Sequence, residues 1–378
     1  MLEGIMLEKG KINAGEFFIL VIVFTMGGTI LVAATGLAEV TKQDAWIADP
    51  LTILISLFFI FIYNQLVTLY PSMTYVEYNE KIFGKWIGKI AALLYLFYFF
   101  ILSSGMLREI GDFFTTHILV ETPIQMVMII FLFTSLIGVR LGLEVICRTV
   151  LIFFPWIVMM LLMSFLFLIP EIKLENIQPI FGEGLKPIIK GSYHILGLPY
   201  LELAMILMIM PYVTDKTATK KAFYRGMVIG GIALFITVAF CILVLGSDIT
   251  ARQAYPSYIL GKKISIGGFF ERIEAIVAFI WVFTVYFKLT IINYGLSLGL
   301  AQVLGLKSYK ILLFPLAFLI ITFAIFSFRD IVHFHDFLAK AWTPYSLTIC
   351  FILPLLLLMV GTIRKKSSAS NVTKLPVR

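Results

Sequence analysis

Two interruptions in long apolar runs carry the chemistry this sequence offers. The first run reads Phe24-Thr25-Met26-Gly27-Gly28-Thr29-Ile30, and the sixth reads His194-Ile195-Leu196-Gly197-Leu198-Pro199-Tyr200. In hydrocarbon every backbone N–H and C=O must find a partner inside the protein, so a broken helix is tolerated where it lines a cavity. Gly27 and Gly28 permit an unwound stretch, and Thr29 opens the next half-helix. The positive end and free N–H groups of such a half-helix suit a ligand carboxylate. Pro199 removes one backbone hydrogen bond and clashes with the preceding turn, next to Gly197 and Leu198. Glu202 follows near mid-span. A carboxylate at that depth is costly and faces the interior or water; it suits a ligand ammonium, a proton or a structural partner. Glycine also serves plain helix packing in membranes, and proline a simple kink. The matching placement of the two breaks favours a small-molecule site at the bilayer midplane.

Other residues compete for roles around that site. Lys288 lies between Phe287 and Leu289 in the inner half of the eighth run, where snorkelling to the surface rivals a functional role. Thr290 and Asn293 are polar neighbours there. Tyr95 and Tyr98 share one helical face with Leu102 and Gly105 and either wall the pocket or pack as ordinary aromatics. Arg108 and Asp112 stand four apart and should pair, with Glu109 in the same structural or gating network rather than on the ligand. His333 and His335 alternate in an expected loop, and a metal there would need further ligands. No phosphate loop, nucleophile motif or zinc signature is present, so no catalytic residue, metal or cofactor is expected and an enzyme is disfavoured.

The elements that must position these residues are membrane helices. The chain is 60% hydrophobic and 14% charged over 378 residues, with mean hydropathy +1.00, too apolar to cover a soluble surface of this length. A span needs about 20 apolar residues. Ten candidates occupy 15–38, 50–70, 88–116, 123–139, 148–169, 191–213, 221–246, 270–300, 310–327 and 341–363. Asn13 with Glu16 predicts a capping box; Asp49-Pro50 and Thr122-Pro123 read as a cap followed by a first-turn proline. Cys147, Cys241 and Cys350 are far apart and read as small buried hydrophobes. The net charge of +8 reports orientation rather than nucleic-acid binding: Lys and Arg favour the N-terminal side roughly two to one, placing both termini in the cytoplasm. The first span acts as its own insertion signal. Segments 170–190 and 247–269 suit short interfacial helices, and 367–378 reads as a disordered cytoplasmic tail.

A single transmembrane domain therefore occupies 1–366, with halves of about 13–170 and 190–364. Five spans per half imply an inverted repeat in which the two broken spans, first and sixth, are equivalent.

At this point the chain resembles a known family. Lys11-Ile12-Asn13-Ala14-Gly15-Glu16-Phe17-Phe18 followed by Gly27-Gly28, then Phe83-Gly84-Lys85-Trp86-Ile87-Gly88-Lys89, and Gly197-Leu198-Pro199-Tyr200-Leu201-Glu202 with Met210-Pro211-Tyr212 are similar to the B subunits of spore germinant receptors. These endospore germination permeases belong to the amino acid–polyamine–organocation superfamily, and the likeness runs over about 10–365. It implies an amino-acid-transporter-like bundle in the spore's inner membrane, acting as a nutrient sensor beside an A subunit and a C lipoprotein. Related sodium-coupled transporters hold an ion with the first and eighth spans, and the Lys288 ammonium could stand in for it, with Glu202 proton-linked.

The function expected is a nutrient-sensing subunit. A small ligand, an amino acid foremost, enters from outside between the first, third, sixth and eighth spans and biases the partner A subunit. The competing expectation is a proton-coupled amino-acid transporter using the same site.

Overall fold

Apolar runs in this chain have no period that would expose one polar face, so they form helices buried in protein or lipid all round. The computed structural model describes residues 7–8, 10–263 and 274–372, with side chains to 365. Its α-helices run in order α1 (Ala14–Met26), α2 (Thr29–Thr41), α3 (Ala45–Leu69), α4 (Tyr75–Phe83), α5 (Lys85–His117), α6 (Ile124–Leu141), α7 (Leu143–Leu168), α8 (Leu185–Ile195), α9 (Lys216–Phe240), α10 (Ser247–Arg252), α11 (Pro256–Gly261), α12 (Glu274–Leu304), α13 (Leu313–Ser327), α14 (Ile331–Phe337), α15 (Thr343–Ser346) and α16 (Leu353–Val372). Among the described residues eight helical runs are long and apolar enough to cross a membrane. The first expected span divides into α1 and α2. The sixth begins as α8, unwinds, and resumes as a 3-10 helix over Leu201–Met208.

α5 and α12 form the centre, with 67% and 61% of their apolar stretches buried against 17% for the run Leu143–Glu171. The peripheral helices turn Leu54, Phe58, Phe133, Ile152 and Phe318 outward, as a bilayer-facing surface requires. The three cysteines are buried and unpaired.

Local signals were read with mixed success. The capping box forms: Gly15 N and Glu16 N donate to Asn13 Oδ1 at 2.8 and 2.9 Å, and Asn13 N donates to Glu16 Oε2 at 2.7 Å. Asp49-Pro50 does not start a helix. α3 begins at Ala45, Pro50 lies inside it, and Asp49 is buried; at the sixth helical position Pro50 takes one backbone hydrogen bond, that to Trp46 O, out of the helix. Before α6 the cap position is Pro123 itself, with no side-chain cap from Thr122. His333 and His335 sit in α14 rather than a loop, because Asp330 Oδ1 accepts His333 N at 2.8 Å and caps that helix. α16 continues to Val372, into the segment expected as tail, and 373–378 lie outside the described residues.

One end of the bundle is strapped by the N-terminal segment. Ile12 N donates to Tyr212 O at 3.1 Å and Thr214 N donates to Ile12 O at 3.0 Å, a short parallel bridge. Glu8 Oε2 accepts from the hydroxyls of Tyr294 and Tyr309, each at 3.2 Å. These contacts tie the chain start to the end of the sixth span, to α12 and to the segment before α13.

Candidate ligand site at the paired helix breaks

Gly27 ends α1 with φ +34°, a conformation that L side chains rarely adopt. A Cβ there would collide with the Lys288 side chain and lie 2.9 Å from Phe24 O. Gly28 has ordinary helical angles and opens α2. The second break centres on Leu198, whose φ of −132° and ψ of 111° are extended. Gly197 is needed for closeness: a Cβ would meet Thr343 Oγ1 at 2.7 Å and Trp342 Cδ1 at 3.1 Å.

Unwinding frees backbone carbonyls, which must be answered in a dry interior. Each break is answered by one indole and one hydroxyl. At the first, Trp281 Nε1 donates to Gly28 O at 3.3 Å and Thr284 Oγ1 to Gly27 O at 3.0 Å. At the second, Trp342 Nε1 donates to Gly197 O at 3.2 Å and Thr343 Oγ1 to His194 O at 2.7 Å. Sequence reasoning missed all four donors, which lie in other spans.

Between the breaks is a cavity of ≈30 Å³. Its walls bring together Gly28, Thr29, Leu198, Glu202 and Lys288 from the expected set, with Leu102, Gly105 and Glu109 from α5. Aromatic side chains of the segment after α13, Phe328, Phe334, Phe337 and Trp342, cover it. This volume holds a water molecule or two, too little for an amino acid.

Lys288 does not snorkel to the surface. It is 2% exposed and forms an ion pair with Glu202, which is 0% exposed; its ammonium also lies 5.3 Å from the Phe24 ring centroid. Neither charge could stand alone at this depth. Glu109 faces the cavity rather than joining its neighbours' network: its Oε2 is 3.3 Å from where a Gly28 Cβ would stand. Arg108 turns the other way. It pairs with Asp112 at 3.0 Å, as the spacing predicts, and also donates to the carbonyl of Phe328, holding the cover in place.

Several expected site residues do not reach the cavity. Tyr95 donates to Ala204 O at 3.0 Å and packs on Tyr75, with centroids 4.2 Å apart. Tyr98 bonds Ser346 Oγ at 2.9 Å and stacks behind Trp342 at 4.9 Å. Thr290 Oγ1 donates to Tyr286 O at 2.7 Å and is 3.2 Å from Ser135 Oγ. Asn293 Nδ2 donates to that same hydroxyl at 3.1 Å. Gly27, Gly197 and Pro199 shape the breaks without lining the space. On the side of α14 a second, open depression of ≈290 Å³ is lined by Glu39, Arg252, His335 and Asp336 among others. Among the described residues no group of three His, Cys, Asp or Glu could hold a metal ion.

An all-helical bundle closed around a charged central site at two broken spans defines a transporter-like membrane protein. Solved structures carry the same fold. A sodium-coupled sialic acid symporter aligns with TM-score 0.64 at 10% identity, covering 91% of this chain and 80% of its own. MhsT in complex with L-phenylalanine aligns with TM-score 0.64 at 15% identity, covering 93% and 99%.

The sequence model for spore germination proteins matches residues 11–334, and the chain belongs to that family. Spore germination protein KB of Bacillus subtilis (strain 168) is 26% identical over 367 residues, covering 95% of this chain and 97% of the relative. Spore germination protein XB of Bacillus anthracis is 24% identical over 334 residues, covering 87% and 91%.

Proposed function

We propose that the protein is the nutrient-sensing subunit of a spore germination receptor. A small nutrient, an amino acid foremost, binds in the central cavity, and a partner A-type membrane subunit reads the resulting state of the bundle beside a C-type lipoprotein. The spore inner membrane, with both chain termini cytoplasmic, is the setting that fits the family and the basic-residue bias. The observation that carries the reading is the small cavity between the breaks, walled by Glu109, Glu202 and Lys288 and lined by four aromatic side chains. A ligand can shift a two-state bundle only by binding one state better. Here the cavity must enlarge to admit any amino acid, so the occupied and empty states necessarily differ.

Lys288 acts in this reading as a tethered cation at the first break, in the place where sodium-coupled relatives of the fold hold a mobile one. It rests on Glu202 and against Gly27. Response to nutrient then needs no sodium gradient.

The test uses spores carrying Gly28→Leu. The added side chain projects towards Glu109 and Val285 and fills the cavity without backbone strain, because Gly28 is already helical. The nutrient concentration for half-maximal germination should rise at least tenfold, and an unchanged threshold sinks the site. The competing reading, a proton-coupled amino-acid transporter, draws on the buried carboxylates Glu109 and Glu202. Concentrative uptake of amino acids into reconstituted vesicles decides for it; saturable binding without uptake decides for the sensor.

A further inference from the structure

The charges around the cavity do not balance. Three charged residues line it, Glu109, Glu202 and Lys288. Glu202 and Lys288 are joined as an ion pair. Glu109 is 7% exposed and has no ion-pair partner among the described residues, and its Oε1 is fully enclosed with no hydrogen-bond partner. The nearest guanidinium, Arg108, is committed to Asp112 and to the carbonyls of Phe328 and Arg329. Thr29 Oγ1, on the same cavity wall, is likewise enclosed and without a partner. An enclosed carboxyl oxygen without a donor costs free energy. Glu202 Oε1 is enclosed without a hydrogen-bond partner as well, though its other oxygen faces Lys288; three such acceptors on one small cavity mark a place for a donor-rich group, and Glu109 is the carboxyl there that no base answers.

Resting on the reading of this cavity as the ligand site, we infer that Glu109 is the specificity residue for a ligand ammonium group. A primary ammonium offers three N–H donors and a full positive charge. It satisfies Glu109 and Thr29 together and supplies the countercharge that a carboxylate at this depth needs. Phe328, Phe334, Phe337 and Trp342 then surround the cation with ring faces or edges, the faces being attractive to it. The remaining walls, including Ile101, Leu102 and Met106, are apolar and take the ligand's side chain. Recognition therefore centres on the amino group. A ligand whose carboxylate is amidated is retained; one whose amine is replaced by hydroxyl is rejected, because hydroxyl brings no charge to Glu109.

The experiment measures binding to purified full-length protein in lipid nanodiscs by tryptophan fluorescence. The probes are the amides of glycine, L-alanine, L-valine and L-leucine, each against the amide of its hydroxy acid. Wild-type protein should bind at least one amino amide ten-fold or more tightly than its hydroxy counterpart. Glu109→Gln should reduce that preference to less than threefold while hydroxy-amide binding persists, which shows an intact cavity. Glu109→Asp should restore a part of the preference. Equal binding of the two probe series to wild type, full preference in Glu109→Gln, or no saturable binding by any amino amide overturns the assignment. Gly28→Leu separates this failure from failure of the underlying reading. If the cavity is the site and only Glu109 is misassigned, Gly28→Leu abolishes binding while Glu109→Gln keeps the preference. If the cavity is not the site, Gly28→Leu leaves binding untouched.

Discussion

The two helix breaks solve one problem with the same chemistry and different neighbours. Both expose carbonyls, and both receive one tryptophan N–H and one threonine O–H. At the first break the donors, Trp281 and Thr284, stand on α12, two turns and one turn before Lys288. That helix is central and its apolar stretch is 61% buried. At the second break the donors, Trp342 and Thr343, belong to the segment whose aromatic side chains cover the cavity. The first break is thus fixed to the rigid centre, and the second to the cover. A ligand that displaces the cover must disturb Trp342, and with it the cap on Gly197 O. On the proposed function, the first break would hold the site in place and the second would report occupancy.

The largest test of that division is at the centre. Lys288→Met leaves Glu202 buried and unpaired, and should destabilise the protein by about 3–5 kcal/mol, read as a lowered melting temperature in detergent. Adding Glu202→Gln should recover most of the loss. A double variant no more stable than Lys288→Met would show that Lys288 holds the first break through packing rather than charge.

The glycines give the next comparison. Gly27→Ala meets both a positive φ and the Lys288 side chain, and strained backbone alone costs about 1–3 kcal/mol. Gly197→Ala meets only close side-chain and backbone contacts from Trp342 and Thr343. The first should therefore be the more destabilising in thermal unfolding, and the second should mainly alter the cover. Equal losses would erase the distinction between the breaks.

Replacing the donors follows. Trp342→Phe leaves Gly197 O without its indole donor and Thr284→Val leaves Gly27 O without its hydroxyl donor, each about 1–3 kcal/mol. Trp342→Phe should in addition speed binding and release of amino-amide probes in stopped-flow measurements, since the cover loses its tie to the second break; Trp281→Phe should not. The smallest effect is expected for Trp281→Phe, about 1 kcal/mol for one hydrogen bond, because Gly28 O keeps the N–H of Leu31 at 3.2 Å.

Much of this was legible in the residues. Hydropathy and length gave the helical membrane class, and Gly27-Gly28 and Gly197-Leu198-Pro199 marked both interruptions, because glycine and proline act on their own local backbone. The Asn13–Glu16 capping box and the Arg108–Asp112 pair were legible for the same reason: their partners are three or four residues apart. Asp49-Pro50 misled, because short-range punctuation cannot tell a helix start from a proline inside one, while Thr122-Pro123 marked the start of α6 to within one residue.

What the sequence by itself determined, then, is where the chain unwinds and that acidic and basic groups sit at membrane depth. Tertiary structure alone decided which of them meet. Glu202 finds Lys288 across two spans, Glu109 turns to the cavity while Arg108 turns to the cover, and Tyr95, Tyr98 and Thr290 face away from the site. The reason is geometric. A run that is apolar all round carries no periodic signal for which face points inward, so rotation about each helix axis is set by packing against its neighbours.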